Sequence, residues 1–221
     1  MRTFTILCGF LILMSSCAKP SYKKNEILSK ADSTATESIL DEVVVFNQEL
    51  NAEEQIATAL LAAPEDARAN AKVYGYDASG EWMTLREGSN EFICIADNPN
   101  QEGFQAVCYH SSLEPMMARG RELVAEGKSR DEKEEIRAAE AKSGKLALPE
   151  SPAALHIYFG KNAYYNRESG LIENAKYRYV VYTPYATKES TGLPLAPNAP
   201  HHPWLMFPGK YNAHIMISPE N

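Results

Sequence analysis

The stretch 72–108, KVYGYDASGEWMTLREGSNEFICIADNPNQEGFQAVC, decides how the chain folds. Residues 72–76 and 82–86 are rich in Val, Tyr, Trp, Met and Thr, the side chains that suit a pleated, half-buried surface. Asp77-Ala78-Ser79-Gly80 between them is a hairpin signal. Gly88-Ser89-Asn90 turns the chain once more into 91–96, where Phe92, Cys94 and Ala96 alternate with Ile93 and Ile95. Alternation with period two marks a strand. On this reading Gly75, Gly80 and Gly88 all serve the hairpins. The expected class is α+β, an antiparallel sheet of short hairpin strands packed by two or three helices.

Helical signals lie on both sides of that stretch. Asn51 and Glu54 have the spacing of a capping box, Ile56 and Leu60 fall one turn apart, and Pro64 ends the run. Ser111 and Glu114 repeat the capping spacing, with Pro115 in the first turn. Leu113, Met116, Met117, Gly120, Leu123 and Val124 then form one stripe at helical spacing, read as core packing. Ser129 and Glu132 cap a second, highly charged helix reaching about Lys142, read as a solvated face. Further strands are expected at 155–159, 176–182 and 213–218. Between them run two long stretches, 160–174 and 184–208, rich in Pro, Gly and Asn. Eight of the twelve tyrosines lie from Tyr158 onward, so the last third is where a ligand would be sought, although strands favour tyrosine anyway.

The N-terminus carries an address. After Arg2 an apolar run from Phe4 to Met14 leads to Ser15-Ser16-Cys17, the layout of a secretory signal over 1–16 and too short to span a bilayer. Ser15-Ser16-Cys17 resembles the lipobox of bacterial lipoproteins, with Met14 where Leu is usual; this makes Cys17 the lipid-attachment site. An ordinary signal-peptidase cut after Ala18 competes with it. Residues 17–38 read as a flexible tether, and 39–221 as a single globular domain. An exported chain at the cell envelope, on the periplasmic or surface side, meets an oxidising compartment. Cys8 leaves with the leader and Cys17 is the acyl site, so Cys94 and Cys108 remain as a disulfide pair. Closing a loop of about 15 residues contributes roughly 3 kcal/mol on the chain-entropy view.

Charge narrows the partners. Twenty-two Lys and Arg stand against twenty-nine Asp and Glu, a formal charge of −7. A nucleic-acid partner is therefore not expected, because phosphate binding needs a cationic surface. An acidic chain is not drawn to anionic lipid by its own charge either, so the membrane would be held through the lipid.

Leu85-Arg86-Glu87-Gly88-Ser89-Asn90, then Phe92, Cys94, Asp97-Asn98-Pro99, Gly103 and Cys108, resembles the front half of a family of exported bacterial proteins of unknown function. Ser190-Thr191-Gly192-Leu193-Pro194, Pro203-Trp204, Pro208-Gly209 and Ala213-His214-Ile215-Met216-Ile217 are similar to its closing segments. The likeness runs over about 50–218 and departs from the pattern at 128–150. It implies export and the Cys94–Cys108 pair, and carries no mechanism.

Candidate chemistry is sparse. His156, His202 and His214 share the late third, and three imidazoles could converge on zinc if their strands adjoin. No His-Glu-x-x-His or His-x-His spacing demands it, and a strand histidine commonly serves as a hydrogen-bonded sheet residue. There is no Gly-x-Ser-x-Gly elbow and no phosphate-cradling glycine loop. The leading expectation is a non-enzymatic binding or scaffolding module using the Tyr- and Pro-rich late third. The rival is a metal-dependent hydrolase built on the three histidines. A carbohydrate-binding version expects Trp204 and several late tyrosines on one exposed face.

Overall fold

The computed structural model describes residues 48–218, all within one compact unit. The leader, Cys17, the tether and the first residues of the expected domain lie outside the described residues. The fold is α+β. Eight strands form one sheet in the order β2-β1-β3-β4-β5-β8-β10-β9: β1 (Lys72–Tyr76), β2 (Trp82–Arg86), β3 (Phe92–Ile95), β4 (Phe104–His110), β5 (Ala153–Gly160), β8 (Lys176–Tyr182), β9 (Pro203–Met206) and β10 (His214–Ile217). A separate hairpin pairs β6 (Tyr164–Asn166) with β7 (Leu171–Glu173). The helices are α1 (Ala52–Leu60), α2 (Glu114–Ala125), α3 (Arg130–Lys142) and the single turn α4 (Lys188–Thr191). Among the described residues no helix is long and apolar enough to cross a membrane.

Every neighbouring pair in the large sheet is antiparallel except β1 and β3, which run parallel. After the β1–β2 hairpin the chain must step across β1, and 85–90 are built for that crossing. Arg86 donates to the carbonyls of Arg68 (2.7 Å) and Ala71 (2.7 Å). Asn90 donates to Ala67 O at 2.8 Å and accepts from Phe92 N at 3.0 Å. Gly88 lies so close to the Lys72 and Ala71 backbone that any Cβ there would collide with main chain. Gly75, by contrast, lies inside β1 and not in a turn. Its missing side chain leaves room for Leu85 and the Gln55 amide, and that amide bridges Tyr76 N (2.9 Å) and Tyr76 O (2.9 Å).

The two sheet faces bury separate cores. Ala59, Ala62 and Ala63 of α1 and its following turn pack over Val73, Cys94, Ala106 and Cys108. Small side chains let this helix approach closely. Its capping box forms as expected, with both Asn51–Glu54 hydrogen bonds at 3.0 Å. On the opposite face Leu113 and Met116 join Ile93, Tyr109, Leu155, Val180 and Tyr211. The expected stripe holds through Leu123, while Val124 is exposed. The Ser111–Glu114 capping box does not form. His110 Nδ1 accepts from Ser112 N at 3.2 Å instead, and Glu114 is drawn to Tyr109 and Arg121. The stretches 160–174 and 184–208 are less irregular than expected, since β6, β7, α4 and β9 lie within them.

Cys94 and Cys108 stand directly opposite each other on β3 and β4, with Cα atoms 4.0 Å apart, and form a disulfide-compatible pair. Both are fully buried at the middle of the first core.

Candidate functional site

The three histidines are not brought together. Directly opposed cross-strand residues share a face, and successive residues alternate. His156 pairs with Cys108 and Tyr179, and His214 pairs with Tyr182. Tyr179 and Tyr182 are three positions apart on β8, so His156 and His214 lie on opposite faces of the sheet. His202 is exposed in the turn before β9. Among the described residues no three His, Cys, Asp or Glu side chains are grouped to hold an ion.

Nor do the late aromatics make one platform. Tyr158 and Tyr177 stack at 4.3 Å, and Tyr177 and Tyr179 follow at 6.1 Å. The hydroxyls of Tyr158 and Tyr177 are spent on the carbonyls of Ile172 and Leu61, which makes this ladder structural. Trp204 is only partly exposed, and its Nε1 is buried. It pairs with Met216, which belongs to the second core on the other face.

A trough of about 720 Å³ does gather chemistry from the late third. One wall is α3, capped by Ser129 and Glu132 as expected and without a buried residue. Polar ties hold this helix in place. Glu134 accepts from the Tyr211 hydroxyl (2.8 Å) and Asn212 Nδ2 (3.0 Å) and pairs with Arg137. Arg137 in turn lies 5.8 Å over the Tyr211 ring. Burial first, then the Glu134 hydrogen bond, pushes the Tyr211 phenol up, so it stays protonated as the donor.

Two turns that extend the β8–β10 pairing make the other wall. Thr183 N bonds Ala213 O (2.9 Å), Tyr185 N bonds Lys210 O (2.9 Å) and Gly209 N bonds Ala186 O (2.7 Å). The first turn, Thr183-Pro184-Tyr185-Ala186, is closed by Ala186 N on Thr183 O at 3.0 Å. With Pro second and φ +62° at Tyr185, it is a type II turn, whose third position favours Gly. The second turn, Phe207-Pro208-Gly209-Lys210, has Gly209 at φ +74° in the favoured place. Phe207 itself sits at +52°, although a residue before proline is biased to extended backbone. Left-handed backbone at a bulky side chain costs about 1–2 kcal/mol and persists only where the surroundings enforce it. Here both strained aromatics border the same trough, with Tyr185 half exposed.

His214 supports this wall from behind. Its ring lies 5.6 Å from Phe207, and Nδ1 donates to Asn212 O at 2.9 Å. Burial lowers its pKa, more than the bond to Asn212 raises it, leaving a neutral imidazole under the aromatic. Lys210 projects over Phe207 at 5.8 Å. Arg130, Lys142 and Lys210 line the trough without an ion-pair partner among the described residues. Tyr185, Phe207 and Tyr211 carry no recognisable motif, but Pro184-Tyr185 and Pro208-Gly209 are turn dipeptides that could have marked the spot.

A second cleft of about 620 Å³ lies by the start of α1. Most of its acidic side chains are tied to neighbours: Glu54 to Asn51 and Arg167, Asp77 to Ser79 and Glu81, and Asp97 to Gln105 N at 2.7 Å, while Glu49 is exposed. No protein-family model, curated protein or solved structure matches the chain.

Proposed function

We propose that this is an exported, lipid-anchored protein of the cell envelope that acts by binding rather than by catalysis, with the α3 trough as its ligand site. The signal-like leader, the Ser15-Ser16-Cys17 sequence and the likeness to exported bacterial proteins support the location, and a disulfide-compatible pair fits an oxidising compartment. The observation that carries the binding reading is the pairing of Tyr185 and Phe207, two bulky aromatics held in left-handed backbone on one wall of one concavity. The fold would be easier to build with Gly at the first position. The trough offers aromatic faces on one side and a charged helix on the other, which suits a ligand with a flat apolar body and polar ends.

Two measurements test this reading. Fragments with an aromatic ring and a charged group, screened against the purified full chain by saturation transfer, are expected to bind, and to lose that signal in Tyr185→Gly and Lys210→Glu. Absence of fragment binding, or hits indifferent to both substitutions, rejects the site. Separately, Cys17→Ser is expected to release the protein from the membrane fraction, and retention of the variant rejects the lipid anchor.

A further inference from the structure

Tyr185 belongs to two concavities. Besides the α3 trough, it lines a smaller recess of about 380 Å³ walled by Leu148, Pro149, Pro152 and Pro184. This recess differs in chemistry from its neighbour. Three prolines make its walls rigid and apolar, and Glu150 is its single charged side chain. That carboxylate is exposed and has no ion-pair or hydrogen-bond partner among the described residues. Across the Tyr185 ring the larger trough presents Phe207, half buried, with the Lys210 ammonium above it. A lone carboxylate on a proline-walled surface complements a cation carried on an apolar stem. An aromatic wall complements a ring.

Resting on the binding reading above, we propose that the ligand is an extended peptide that straddles Tyr185, laying a Lys or Arg side chain in the proline recess against Glu150 and an aromatic side chain in the α3 trough. Side chains two positions apart on an extended chain point the same way and stand about 7 Å apart, a step that crosses one phenol ring. The recognition element is therefore an aromatic and a basic residue at i and i+2. Tyr185 sets that spacing as a specificity-determining partition, and its backbone is pinned by the bond from its N–H to Lys210 O.

The test is selection of a random dodecapeptide display library on the purified full chain, followed by affinity measurement on the enriched peptides. Wild type is expected to enrich an aromatic and a Lys or Arg two positions apart. Glu150→Gln should weaken the enriched peptide about tenfold, and Glu150→Lys should shift selection to Asp or Glu at the same position. Glu150 is exposed, so neither variant threatens folding. Tyr185→Gly should erase the fixed spacing and the aromatic preference while leaving the preference for Lys or Arg that Glu150 sets. Enrichment without a basic position, or a preference unmoved by Glu150→Lys, overturns the proposal. If aromatic fragments bind the trough and no peptide is enriched, the peptide class fails while the site stands. If fragments also fail to bind, the site itself is lost.

Discussion

Tyr185, at φ +62°, occupies the third position of a turn that borders the proposed ligand trough. A type II turn asks for Gly at its third position, and Pro184 already sets the second. Replacing Tyr185 by Gly removes a left-handed side chain at the cost of added freedom in the unfolded chain. The net expectation is a variant equal to wild type or up to about 1 kcal/mol more stable in urea unfolding, yet defective in the trough. Lower stability would show that the ring is packing and not presentation. Asp97 poses a different residue-scale problem. Burial pushes its carboxyl up to about 7, more than the Gln105 and Asn98 N–H groups lower it. Its folded form therefore holds a proton that the unfolded form, at its ordinary 3.8, has released. Stability should fall as pH rises from about 4 to about 7. Asp97→Asn keeps an acceptor for Gln105 N and removes the charge. It should unfold like wild type at pH 4 and be more stable at pH 8, by on the order of 1–2 kcal/mol. Equal stabilities at pH 8 would mean that solvent reaches this carboxylate freely.

At the scale of elements, α3 shows how a helix with no buried side chain can still be fixed in place. Arg119 holds Glu140 through two nitrogens (3.0 and 3.1 Å), Arg137 reaches Met116 O at 3.4 Å, and Glu134 ties the helix to Tyr211 and Asn212. Partly exposed pairs of this kind are screened by salt, whereas strand pairing in a core is not. Amide exchange in α3 should therefore quicken between low salt and 1 M NaCl while β4 and β5 stay unchanged. A uniform response would place the docking energy elsewhere. The helix ends were legible because Asn51–Glu54 and Ser129–Glu132 close by local hydrogen bonds that need no tertiary partner. Ser111–Glu114 has the same spacing and misleads, because Tyr109 and Arg121, outside the spacing of a capping box, compete for Glu114. β4 left no period-two signal, since it sits inside the sheet and residues of both its faces are buried. β6, β7 and β9, at three or four residues each, are too short for periodicity to show. The trough was legible only as a region. Its walls come from residues about seventy-five positions apart, and the strained backbone that marks it is a property of packing.

Across the whole molecule, Cys94–Cys108 sits between the third and fourth of eight strands, with one helical layer against each face. The crossing at 85–90 enters β3 immediately before this pair, and a bond between the two sulfurs would close the following β3–β4 loop, beside the parallel β1–β3 pairing. Converting both cysteines to Ala should cost about 3 kcal/mol on the chain-entropy account, seen as a lower urea midpoint with a somewhat steeper transition, because the unfolded chain without the cross-link is more expanded. Because both sulfurs are fully buried, a dithiol reductant must wait for opening of the sheet. Reduction of native protein should therefore track global unfolding, accelerating with urea at the same rate as exchange of the slowest amides. Fast reduction in the absence of denaturant would show that β3 and β4 separate locally, without opening of the whole sheet.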